Sequence, residues 1–97
     1  MTTPIVARIE DSLAGDIEFF SKIEKLDKSA VIRRLLTKAV KEEKLELALE
    51  KYRKNEVSLA RAAEMAQLPL ADMLRIAAEN KIPLHYTKED LSRDFKA

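Results

Sequence analysis

Pro4-Ile5-Val6-Ala7-Arg8-Ile9-Glu10 is the stretch of this chain that reads with a period of two. Ile5, Ala7 and Ile9 fall on one side of an extended backbone; Pro4, Val6, Arg8 and Glu10 fall on the other. The alternation predicts a short strand. No second strand is readable elsewhere, and a lone strand leaves its N–H and C=O groups without partners. The expectation is therefore a two-fold homodimer in which residues 5–9 pair antiparallel with their mate. Ile5, Ala7 and Ile9 would join Ile32 and Leu36 in the dimer core. Val6 and Arg8 would project from the outer face of a two-stranded ribbon, a shape the major groove of B-DNA admits.

Everything after residue 10 reads as helix. Glu10, Asp11 and Ser12 supply acids and a cap, and Leu13, Ile17 and Phe20 recur at helical spacing up to Lys25-Leu26. Asp27 is a good N-cap for a second helix carrying Val31, Ile32, Leu35, Leu36, Ala39 and Val40. No Gly or Pro interrupts residues 28–55, and Leu45, Ala48, Leu49 and Tyr52 continue the apolar stripe. Ser58 caps a short helix over 59–66. Pro69 suits the start of another, which carries Met73, Leu74, Ala77 and Ala78 and stops near Asn80. Ile82-Pro83-Leu84 is expected to be extended.

The 97 residues hold 18 Lys and Arg against 17 Asp and Glu, a formal net charge of +1. A polybasic tail and an acidic tail are both excluded, so any DNA contact depends on where charges sit. There is no Cys and His85 is the sole histidine, which removes disulfides, thiolate metal sites and multi-His clusters. Nothing matches a nucleophile–base pair or a phosphate loop, so no enzyme and no cofactor are expected. The apolar runs are too short for a membrane span or a signal peptide, and a cytoplasmic protein is the expectation. Glu89, Asp90 and Asp94 read as solvated acids, not as a metal site.

The run Ile5-Val6-Ala7-Arg8-Ile9, with Leu13 and Ile17 and then Leu26-Asp27-Lys28-Ser29-Ala30-Val31-Ile32-Arg33, resembles the ribbon-helix-helix repressors of the MetJ/Arc/CopG type. The likeness covers about residues 4–42. It implies that Val6 and Arg8 contact bases, and that Asp27, Lys28, Ser29 and Arg33 contact phosphate. Lys25 stands at a turn position where that family usually has Gly, so a distorted or lengthened turn is expected there.

Leu45–Arg53, Ser58-Leu59-Ala60-Arg61-Ala62-Ala63-Glu64-Met65-Ala66 and Ile82–Tyr86 are similar to a second family, of small archaeal and cyanobacterial proteins with a helix-turn-helix-like body. Those proteins are regarded as antitoxins, often partnered by a PIN-domain ribonuclease. The resemblance implies a toxin-binding surface, for which Tyr52, Tyr86, Leu91, Arg93 and Phe95 are the candidates. Leu70 to Glu79 holds one Arg and two acids, which favours packing or toxin binding over DNA contact.

The expected fold is thus mainly α: a ribbon-helix-helix dimer over 1–42, with one short strand per chain, then a small helical helix-turn-helix-like module over 43–97. The expected function is that of a type II antitoxin. It would bind palindromic double-stranded DNA as a dimeric autorepressor and neutralise a ribonuclease toxin by occlusion. A ribbon-helix-helix regulator without a toxin, or a helical assembly protein that binds no DNA, are the alternatives.

Overall fold

A computed structural model describes residues 2–85. Its element order is α1 (Asp11–Glu24), α2 (Lys28–Arg53), α3 (Leu59–Ala66) and α4 (Leu70–Glu79). The chain divides into two compact units, Met1–Lys38 and Ala39–Ala97, and the division falls inside α2.

The predicted strand does not form. Residues 2–10 carry no regular secondary structure, and no strand is present among the described residues. This overturns the ribbon-helix-helix architecture, and with it the ribbon roles of Ile5, Ala7 and Ile9 as dimer core and of Val6 and Arg8 as groove readers. The reason lies in the backbone: period-two patterning selects a face, but only hydrogen bonds to a neighbouring strand hold a chain in a ladder. The described residues contain no such edge, and Ile5 and Val6 stand 83% and 95% exposed.

The helices start and stop for local reasons. Asp27 accepts the Ala30 N–H at 2.7 Å, and Ser58 Oγ accepts the Arg61 N–H at 3.0 Å. Each caps the first turn of the helix that follows it. Pro69, whose ring lacks an N–H, is the N-cap of α4. Each helix is followed by a non-glycine residue with positive φ: Lys25 (55°), Asn55 (62°), Gln67 (58°) and Lys81 (57°). Their left-handed turns return N–H groups to the last helical carbonyls, as Leu26 N does to Ser21 O at 3.1 Å and Leu68 N to Ala63 O at 2.9 Å. Lys25 therefore does not lengthen the first turn. It takes the conformation that glycine usually supplies, at a cost of about 1–2 kcal/mol.

The second unit has a closed core. Ala48 and Tyr52 from α2 meet Leu59, Ala62 and Ala63 of α3 and Met73 and Ala77 of α4, all buried. Leu45, Leu49, Val57, Met65, Leu68, Leu70 and Ile82 pack around them. The alanines on α3 let the backbones of α3 and α4 approach closely. In the first unit, by contrast, α1 contains no buried residue, and Val31 of α2 is the one described side chain fully withdrawn from solvent.

Candidate partner-binding surfaces

In the first unit, the α1–α2 corner fixes the positions of the charged side chains. Arg34 reaches back ten residues to Glu24 with two parallel bonds, Nε to Oε1 at 2.8 Å and Nη2 to Oε2 at 2.9 Å. Its guanidinium also lies 6.0 Å from the centre of the Phe20 ring, a cation–π arrangement. Arg34 is thereby committed to holding the corner. Arg33 next to it is exposed, and its carbonyl accepts the Thr37 hydroxyl at 2.7 Å.

The residues expected to grip phosphate separate into two roles. Asp27 uses its carboxylate to cap α2, and its carbonyl accepts the Val31 N–H at 3.1 Å. Lys28, Ser29 and Arg33 remain exposed on the first turns of the same helix. Arg8 is exposed in the irregular segment before α1. Arg8, Lys28 and Arg33 form no ion pair with another described residue. Of the expected dimer-core residues on α2, Ile32 and Leu36 are exposed, 38% and 54% respectively.

In the second unit, Tyr52 is wholly buried and offers nothing to a partner. Its ring stacks on His85 at 4.1 Å between centroids, with an interplanar angle of 19°. Tyr86, Leu91, Arg93 and Phe95, the other expected toxin-binding residues, lie outside the described residues. Nothing in the sequence linked His85 to Tyr52, and this clasp was missed. The two residues are 33 positions apart, and no local rule connects them.

A groove of about 620 Å³ runs along the same unit. Glu43, Glu46 and Glu50 of α2 form one wall, Leu47 and Leu49 lie between them, and Asn80 to Pro83 form the other wall. Glu50 is engaged by Arg53 and by Lys54 at 3.5 Å. On α4, Met73 and Ala77 face inward, while Ala71, Leu74 and Ala78 are exposed beside the Arg75–Glu79 pair (3.0 Å). With its cation paired, the outer face of α4 has little to offer a phosphate backbone. No group of His, Asp and Glu suited to hold a metal ion occurs among the described residues, and no helix among them is long and apolar enough to cross a membrane.

Comparison with known proteins places the chain. Residues 22–97 match the family described as "Uncharacterised protein family (UPF0175)", and the chain belongs to that family. A UPF0175 protein of Aeropyrum pernix is 42% identical over 53 residues, covering 55% of this chain and 60% of that protein. One from Archaeoglobus fulgidus is 41% identical over 54 residues, 56% of this chain and 62% of that one. The chain spans about six-tenths of the length of these relatives. No solved structure matches it.

Proposed function

We propose that this UPF0175 chain is a non-catalytic binding protein of the antitoxin kind, with a different task for each unit. The first unit meets operator DNA and represses its own gene. The second holds a PIN-type ribonuclease and blocks access to its active site. The observation that carries the reading is the contrast between the units. The second closes on its own core, while the first leaves apolar and cationic side chains open for other molecules to cover.

Arg8, Lys28 and Arg33 support DNA contact through phosphates. They are exposed, and Lys28 and Arg33 sit near the positive end of α2. Contacts of this kind set position and affinity and carry little sequence information. Binding then weakens steeply with added salt as counterions are released. Asp27, occupied as a cap, serves to organise the helix start. The run Ser58-x-x-x-Ala62-Ala63-Glu64-x-Ala66 supports the toxin reading: it ties the second unit to the antitoxin-like proteins it resembles, and it builds the tight α3–α4 pair.

The test is to mix the chain in equimolar amounts with a PIN-domain ribonuclease encoded by an adjacent gene. The expected result is a stable complex and arrested RNA cleavage. Continued cleavage with no complex sinks the toxin half of the reading. Loss of duplex binding in Lys28→Glu with Arg33→Glu checks the DNA half.

A further inference from the structure

We infer that the middle of α2, residues 36–44, is a hinge that unwinds locally while both ends of the helix stay wound. This goes beyond the DNA and toxin reading and does not rest on it, because the helix itself carries it.

A helix in water owes most of its stability to the face it packs. Both ends of α2 have such a face. At its start Val31 is buried, Ala30 and Leu35 are half-buried, Asp27 caps the first turn and Arg34 is tied to Glu24. Toward its end Ala48 and Tyr52 enter the core of the second unit, with Leu45 and Leu49 packed against them. Between the two, every residue from Leu36 to Lys44 is exposed. At 1.5 Å per residue that stretch is about 13 Å of helix, roughly two and a half turns, with no side chain packed away from water. The division between the two compact units falls inside it, at Lys38 and Ala39.

Charge does not replace the missing packing. Residues three or four apart are neighbours on a helix surface. By that spacing Lys38 meets Lys41, Lys41 meets Lys44, Glu43 meets Glu46 and Glu42 meets Glu46, all of them like-charged pairs. The opposite pair, Lys38 with Glu42, has its cation on the N-terminal side, the less favourable order. None of these side chains forms an ion pair with another described residue. Thr37 weakens the ladder further. Its hydroxyl donates to the Arg33 carbonyl at 2.7 Å, a back-bond that slightly destabilises and bends the turn it spans.

The helix is thus held at each end and opposed in its middle by its own charges. Local opening concentrates where backbone hydrogen bonds lie exposed and apolar contacts are few. Opening at residues 36–44 frees the two ends of α2 to turn separately, and it dismantles neither the Arg34–Glu24 corner nor the core around Tyr52.

Amide hydrogen exchange, resolved by residue on the full chain with neither DNA nor toxin present, tests this. The amides of residues 40–44 are expected to exchange at least about tenfold faster than those of residues 32–35 and of residues 49–52. Lys41→Glu turns two like-charged pairs into opposite ones and is expected to slow exchange at 40–44 about fivefold. Ala39→Gly is expected to speed it about fivefold. Both variants leave residues 49–52 as in the wild type, which shows that the second unit stays folded. Protection at 40–44 equal to that of both flanks would overturn the inference. So would exchange that rises steadily from residue 52 back to residue 32, the mark of a fraying first half, or variants that leave 40–44 unchanged. Failure of DNA or toxin binding would not alter these rates, so the two readings fail separately.

Discussion

The Tyr52 hydroxyl donates to the carbonyl of His85 at 3.0 Å and accepts the backbone N–H of the same residue at 2.9 Å. His85 Nε2 lies 2.9 Å from the Tyr52 carbonyl, which fixes the Nε2-protonated form because a carbonyl only accepts. Three bonds and a ring stack thus tie the chain after α4 to the last turn of α2. Tyr52→Phe keeps the ring and removes two of those bonds. The expected loss is about 1–3 kcal/mol, read from urea unfolding. His85→Ala should lose the stack and the third bond while keeping the hydroxyl's two backbone partners. A Phe variant as stable as wild type would show that the clasp contributes packing alone.

The core of the second unit is small, and Met73 is one of its largest wholly buried side chains. Met73→Ala is expected to cost about 2–5 kcal/mol through lost burial and the cavity left behind. Its neighbour Leu74 is 37% exposed, and Leu74→Ala should change stability by no more than about 0.5 kcal/mol. Thermal melts of the pair separate a core position from a surface one on the same helix.

Caps can be tested in each unit separately. Asp27→Ala removes the acceptor for the Ala30 N–H, and Ser58→Ala removes the one for the Arg61 N–H. Each should destabilise its helix by about 0.5–2 kcal/mol. Asp27→Asn and Ser58→Thr retain an acceptor and should recover most of the loss. Equal losses in the rescued and unrescued variants would argue against capping as the cause.

The left-handed residues after the helices offer the opposite sign. Lys25→Gly and Gln67→Gly remove the Cβ clash and are expected to raise stability by up to about 1 kcal/mol, less the added freedom of the unfolded chain. Asn55→Gly should change little, because Asn tolerates this conformation. Gly15 is the converse case: a Cβ there meets nothing within 4 Å, so Gly15→Ala should gain about 0.5–1 kcal/mol. Chemical denaturation of the four variants should give the order in a single series.

Much of the helical layout was legible because helices are specified locally. Asp27, Ser58 and Pro69 announce starts, and the apolar stripe from Val31 to Tyr52 keeps a period close to 3.6. Residues 5–9 misled for the reason that strands are specified from outside. Ile5, Ala7 and Ile9 alternate correctly, yet their pairing groups have no partner among the described residues. The helix ends near Lys25, Ala66 and Asn80 were read close to where they fall, but the conformation of the turns after them was not. With one glycine in the chain, the left-handed turns fell to Lys25, Asn55, Gln67 and Lys81, of which Asn55 alone is a residue type that commonly takes them. The Arg34–Glu24 and Tyr52–His85 pairs depend on how separated segments come together, and spacing carries no trace of that. Tyr52 was a partner-binding candidate only through the family resemblance; the apolar stripe it ends already pointed to the core where it lies.

The burial of Tyr52 has a practical consequence. The chain has no tryptophan and two tyrosines, Tyr52 and Tyr86, and neither lies in the first unit. Tyrosine emission is therefore an optical signal from residues 39–97 alone, whereas far-ultraviolet ellipticity sums helices on both sides of the division. Melting curves followed with the two signals coincide if the units unfold together and part if one goes first. The molecule carries its own label for asking which half fails, with no dye attached and no residue replaced.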